Sequence, residues 1–238
     1  DGNLVCLSPA GNEGVKLLSL SNDAGAIAAR VEYEYVLDAV VTGITPAMGV
    51  VDGGTVVSVY GQNLGLGVGQ LYIGSAVSGV QVLSSSLITC MTPAHDAGSV
   101  QLQYSEVDGG EKETLAMSFR FYERVSVERV FPSSGGIAGG TSVIVYGSNF
   151  VDTNSLGCAF GRADLVSRAM LLSSTALKCV SVAHNAGRVA LEVTLNGAEL
   201  TSSGVMYEYD LTVHVISLVP SHGVAAGGTR GTVFWANF

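Results

Sequence analysis

His95 and His184 occupy the same place in two similar stretches of the chain, beside Asp96 and Asn185, a combination that could serve acid/base chemistry or hold a metal. One histidine with one carboxylate supplies too few ligands, and neither a G-x-S-x-G nucleophile turn nor an HExxH pair occurs. Both histidines therefore read as solvated loop residues. The glycine-rich runs Gly65-Leu66-Gly67-Val68-Gly69 and Ser134-Gly135-Gly136-Ile137-Ala138-Gly139-Gly140 look like phosphate cradles. A cradle needs a following helix whose N-terminus faces the anion, and strand patterns follow here, so these read as turn glycines. The carboxylates lack the D-x-D-x-D-G spacing of a calcium loop, and an interdomain calcium would have to come from separated residues such as Asp108 with Glu111 or Glu123. Cys6, Cys90, Cys158 and Cys179 form no CxxC pair for zinc. The sequence thus assigns no catalytic residue, no cofactor-binding residue and no metal ligand, and the chain reads as a non-enzyme.

Composition narrows the remaining classes. The 238 residues exceed one sandwich-sized domain and suit two or three. Charged residues make up 13%, against 47% apolar residues and 31 glycines, which favours short strands and tight turns over charged amphipathic helices. The net charge of −9, with scattered basic residues, argues against nucleic acid as a partner. No apolar run reaches the roughly 20 residues of a membrane helix, so no membrane insertion is expected in this segment. Residues 1–5 carry no secretory-signal pattern, which leaves a removed signal or an internal segment. No N-x-S/T sequon occurs, and the Ser/Thr-rich stretches Leu83 to Leu87 and Leu172 to Thr175 read as strand-pairing segments in preference to O-glycan carriers.

What positions these residues is a repeat. Gly53-Gly54-Thr55 opens an alternating run ending in Gly61-Gln62-Asn63-Leu64, and the pattern returns from Gly139-Gly140-Thr141 to Gly147-Ser148-Asn149-Phe150 and again from Gly227-Gly228-Thr229 to Asn237-Phe238. Pro46, Pro132 and Pro220 precede the three copies at a spacing of about 86 to 88 residues. Cys6, Cys90 and Cys179 stand equally far ahead of Gly14, Gly98 and Gly187, and each glycine opens a period-two run. Val100, Leu102 and Tyr104, like Val189, Leu191, Val193 and Leu195, put one apolar face on an antiparallel strand. Each copy closes on an aromatic alternation: Tyr33 and Tyr35, Phe119 and Phe121, Tyr207 and Tyr209. Asn63 and Asn149 follow a strand, where a side-chain amide holds a turn.

These anchors predict an all-β chain with two complete repeats, 39–124 and 125–211, flanked by the C-terminal part of one repeat at 1–36 and the N-terminal part of another at 212–238. Both ends fall inside a repeat, where half a sandwich would expose its core, so the chain reads as an excerpt; the two parts together also fall short of one repeat. No Gly/Ser/Pro linker separates the repeats, so neighbours are expected at a restricted angle.

The order of proline, Gly-Gly-Thr, Gly-x-Asn-Phe, Cys-x-Phe-Gly and a further cysteine resembles the IPT/TIG family across essentially the whole chain. The resemblance implies tandem immunoglobulin-like β-sandwiches. Pro46, Gly53, Gly54, Asn63, Pro132, Gly139, Gly140 and Asn149 become structural turn and core positions of that motif. Cys158, in Cys158-Ala159-Phe160-Gly161, and Cys179 match the family's cysteine pair, commonly disulfide-bonded in extracellular members. Such a bridge would close a loop of about 20 residues and add on the order of 3 kcal/mol. The first complete repeat departs from the pattern with Leu71 in place of the earlier cysteine, which leaves Cys90 as a buried small hydrophobe or a free thiol. The last copy carries Gly231 and Trp235 where the second has Val143 and Gly147 and reads as divergent.

Low charge and high apolar content lead to the expectation of an extracellular structural protein, a rod or filament held by domain–domain and chain–chain contacts. Its partners are then other copies of itself or other extracellular proteins. The resemblance also admits a cell-surface receptor or adhesin ectodomain that binds a protein or glycan, or accessory modules beside a catalytic domain.

Overall fold

The computed structural model describes residues 4–21, 25, 27–64, 69–105, 112–211 and 214–236, so residues 65–68, Asp108, Glu111 and residues 237–238 lie outside the description. The described chain is all-β and divides into two compact units, Asp1–Tyr122 and Glu123–Phe238. No helix among the described residues is long and apolar enough to cross a membrane.

The first unit opens with an antiparallel hairpin of β1 (Gly14–Ser21) and β2 (Ile27–Tyr35). A nine-stranded repeat follows: β3 (Val40–Thr45), β4 (Met48–Val50), β5 (Val56–Gln62), β6 (Gln70–Ile73), β7 (Ala76–Ser78), β8 (Val80–Ser84), β9 (Leu87–Met91), β10 (Gly98–Ser105) and β11 (Glu113–Tyr122). Its strands form a four-stranded sheet ordered β3-β5-β9-β8 and a five-stranded sheet ordered β4-β11-β10-β6-β7. The period-two pattern decides which face is inside. Val57 and Val59 of β5, Ile88 and Cys90 of β9, Leu71 and Ile73 of β6, Leu102 and Tyr104 of β10, and Phe119 and Phe121 of β11 form one buried cluster. Burying each Leu, Ile or Phe contributes about 1.5–3 kcal/mol, and the edge-to-face contact of Phe119 with Phe121 adds to this.

The second unit repeats the plan with β12 (Ser126–Phe131), β13 (Ser134–Gly136), β14 (Ser142–Ser148), β15 (Gly157–Phe160), β16 (Val166–Arg168), β17 (Met170–Ser173), β18 (Ala176–Val180), β19 (Gly187–Thr194) and β20 (Met206–Asp210). The sheets are β12-β14-β18-β17 and β13-β20-β19-β15-β16. Phe160, Tyr207 and Tyr209 meet edge to face at its centre. A final hairpin pairs β21 (His214–Val219) with β22 (Thr232–Ala236).

Local chemistry fixes the register. Pairing shifts by one residue between Val41 and Gly43 opposite Gly61, and between Val127 and Arg129 opposite Gly147, which places a β-bulge at the same point of both repeats. A Cβ on Gly61 would fall 2.1 Å from the Val40 carbonyl oxygen and one on Gly147 1.9 Å from that of Ser126, so only glycine fits. The last hairpin keeps the shift although Trp235 stands at that position, half-exposed.

One sequence expectation changes here and another is extended. Gly135 and Gly136 are strand residues of β13 instead of turn glycines, because a parallel pairing with β20 recruits them; a Cβ on Gly135 would overlap the Tyr207 hydroxyl and Thr141. The Ser/Thr stretches do not only pair strands. Ser84 with Ser86, and Ser173 with Thr175, hydrogen-bond through their hydroxyls, and each first hydroxyl accepts the second residue's backbone N–H to close the β8–β9 and β17–β18 hairpins.

Candidate functional site

The residues singled out by the repeat gather at two ends of each sandwich. At one end, after β3 or β12, the chain turns through a cis peptide, Thr45–Pro46 or Phe131–Pro132, and then passes the paired glycines. Gly53, Gly54, Gly139 and Gly140 all have a left-handed backbone. Gly54 N–H donates to the Thr92 carbonyl and Gly140 N–H to that of Ser181, both at 2.8 Å. Gly53 and Gly139 lie so close to the 93–94 and 182–183 backbone that a Cβ would sit 2.6 Å away. The glycines thus let two backbone segments touch, and their N–H groups are spent inside the fold.

His95 and His184 belong to this end. Each backbone N–H donates across to Val51 or Ile137, and each ring nitrogen Nδ1 meets the next residue's carbonyl, Asp96 at 2.8 Å or Asn185 at 2.9 Å, which requires a protonated Nδ1. Each imidazole stacks at 5.0 Å on the closing aromatic, Phe121 or Tyr209. They are half-buried, which corrects the expectation of solvated loop residues: the aromatic alternation offers an apolar platform that the ring covers. The Tyr209 hydroxyl donates to the Val182 carbonyl at 2.8 Å, and burial, with neighbouring Tyr207, pushes its pKa up to about 12. In the second repeat this end bears a surface depression of about 740 Å³ lined by Ile137, Arg162, Leu165, His184, Asn185 and Leu211. Arg162 on its rim grips Asp164 through two hydrogen bonds, 3.0 and 2.6 Å, and holds that exposed carboxyl below its usual range.

At the opposite end Asn63 and Asn149 take left-handed backbones, φ 57° and 60°. Their amide groups donate to the Asp38 and Arg124 carbonyls at 3.1 and 2.8 Å, tying the turn after β5 or β14 to the segment that enters the repeat. The following residues, Leu64 and Phe150, point into the cores. Both asparagine side chains are engaged in the turn itself.

Between the ends, Cys158 of β15 and Cys179 of β18 form a disulfide with Cα atoms 6.3 Å apart, joining the two sheets of the second repeat. Leu71 and Cys90 hold the matching places in the first repeat, both buried, and burial pushes the free Cys90 thiol up to about 11.

The sequence reasoning missed Glu192. Its carboxylate accepts the Thr201 hydroxyl and the N–H groups of Ser203 and Gly204, which pins the 196–205 loop, and the Ser203 hydroxyl accepts Val127 N–H. A glutamate on a strand, nine residues before a threonine, gives no warning of this.

Among the described residues no three His, Cys, Asp or Glu side chains are grouped so as to hold a metal. The geometry offers surfaces and backbone turns.

Comparison with known proteins accords with this architecture. The family model described as IPT/TIG domain matches residues 39–120 and 126–209. Mouse (Mus musculus) fibrocystin-L is 26% identical over 244 residues, covering 99% of this chain and 6% of that protein. Plexin-2 of Caenorhabditis briggsae is 28% identical over 210 residues, 81% of this chain and 11% of its own length. The chain therefore spans a small fraction of both relatives. Among solved structures, the plexin A4 full extracellular region (domains 1 to 10) aligns at a TM-score of 0.47 and 17% identity, covering 77% of this chain and 16% of that one.

Proposed function

The chain belongs to the IPT/TIG domain family, and we propose that it is a non-enzymatic ectodomain segment whose immunoglobulin-like repeats stack into a rod and join other chains in a filament. Its place is extracellular or at the cell surface, and the disulfide between Cys158 and Cys179 suits an oxidising compartment. The observation that carries the reading is where the repeat's distinctive residues are spent. Gly54, Gly140, Asn63 and Asn149 give their hydrogen bonds to the fold, which leaves the outward sheet faces and edges among the surfaces available to partners. Three residues separate β11 from β12. Exposed Val56, Met91, Phe131, Met170 and Val180 on the sheets favour contacts between chains.

Light scattering over a concentration series tests this. A mass that rises above the 24.4 kDa of one chain supports chain–chain contact. A constant monomer mass up to about 1 mM, where even a weak interface would be populated, sinks it.

A receptor or adhesin reading has one observation of its own, the depression beside Arg162, His184 and Asn185, which offers hydrogen-bond donors and an apolar wall to a protein or glycan ligand. Arg162→Ala together with Asn185→Ala would weaken such a ligand and leave self-association unchanged.

A further inference from the structure

The two repeats share a fold but not a surface. No Asp, Glu, Lys or Arg occurs between Asp52 and Asp96, and none lies in any strand of the β3-β5-β9-β8 sheet. The matching β12-β14-β18-β17 sheet carries Glu128, Arg129 and Lys178. Register makes the comparison exact in position: Gly43 lies opposite Tyr60 as Arg129 lies opposite Tyr146, and Thr89 lies opposite Ser58 as Lys178 lies opposite Ile144. In the second repeat the Arg129 guanidinium covers the Tyr146 ring at 3.6 Å. In the first repeat glycine stands opposite Tyr60, which is 43% exposed.

The outward face of the first sheet has three bands. The cross-strand pair Val56 and Met91, 57% and 60% exposed, forms one end. Tyr60 with Leu87 forms the other. Thr45, Ser58, Thr89 and Gln81 line up between them as a polar, uncharged belt. The edge strand β3 has Thr42 and Gly43 where β12 has Glu128 and Arg129, so the charges that keep edges apart are missing as well.

We propose that this face docks onto the same face of a second copy of the chain. The inference rests on the self-associating reading above and names the surface that performs it. The face fits itself. Under a two-fold axis lying in the interface through the belt, apolar ends meet apolar ends and hydroxyls meet hydroxyls, each able to donate and accept. An acidic chain of net charge −9 approaches its own copy with least repulsion where neither presents a carboxylate. A charged partner would strand its charge, desolvated and unpaired, against this surface.

Size sets the strength. Four strands about 4.8 Å apart and roughly 20 Å long cover about 400 Å² per copy, or about 800 Å² in total. That lies below the roughly 1,000 Å² of a persistent interface, so one contact is weak and holds only when multiplied along an array.

The test is methyl-detected NMR of the whole chain over a concentration series, beside the double variant Gly43→Arg/Thr89→Lys. That variant installs the second repeat's own charges at positions where the fold already accepts them, and a Cβ on Gly43 meets nothing within 4 Å. Expected are concentration-dependent shifts at the Val56, Leu87 and Met91 methyls, with at least tenfold weaker association in the variant. Shifts confined to the hairpin residues Leu17, Val31, Val215 and Val233, or association equal in the variant, would overturn this surface and leave self-association standing. No concentration dependence anywhere would overturn both.

Discussion

Gly139 and Gly140 stand side by side with nearly the same left-handed backbone, φ 73° and 81°, yet alanine should cost very different amounts at the two positions. A Cβ on Gly140 meets nothing within 4 Å, so Gly140→Ala loses only the backbone preference, about 1–2 kcal/mol. A Cβ on Gly139 falls 2.6 Å from the Val182 carbonyl carbon and 2.7 Å from the Ala183 nitrogen, backbone atoms that cannot rotate aside. Moving that segment strains the neighbouring Gly140 to Ser181 hydrogen bond, and overpacking adds about 1–3 kcal/mol, for a total of about 2–5 kcal/mol in Gly139→Ala. Urea unfolding, with hydrogen exchange of peptides from 126–209 assigning the transition to this repeat, reads the difference. Equal losses in the two variants would refute the argument that Gly139 exists to let two backbones touch. Loss of a binding partner without loss of stability would show that these glycines contact a ligand instead.

Three further outcomes follow from the same geometry. Leu71→Cys should form a disulfide with Cys90, because the two positions match Cys158 and Cys179; peptide mapping without reductant should find it, and closing a loop of about 20 residues should make the oxidised variant about 3 kcal/mol more stable than its reduced form. Tyr207→Phe should raise stability by about 1 kcal/mol, since the Tyr207 hydroxyl is buried without a hydrogen-bond partner and Phe119 already fills the matching place in the first repeat, a change that thermal unfolding detects. Cys90 should resist alkylation at pH 8 in the folded chain, where a pKa near 11 leaves roughly a hundredfold less thiolate than the ordinary 9.0, and react at once in denaturant; rapid native labelling would show that the first core opens.

The sheets were legible because strands carry a period of two. Leu102 and Tyr104, or Leu191 and Val193, announce their buried face in the sequence, and duplicated anchors give the register between copies. Asn63 and Asn149 follow a strand in the sequence, where a side-chain amide can hold a turn, but the left-handed backbone at each is visible only in the structure. The histidines were less legible: that His95 covers Phe121 depends on two segments meeting in space, and a loop histidine beside an aspartate carries no trace of it. Glu192 was hidden for the same reason, since its partners are hydroxyl and backbone groups of a loop whose path the sequence leaves open. The uncharged sheet is a further case. Missing charge between Asp52 and Asp96 becomes a face only once β3, β5, β8 and β9 lie side by side.

Electron microscopy of the protein in its native assembly tests the central claim most directly. Ordered filaments in which repeats of neighbouring chains touch, with density between outward sheet faces, are the expected result. Separate strings of repeats with no contact between chains would contradict it and turn attention to the depression beside His184 as a binding site.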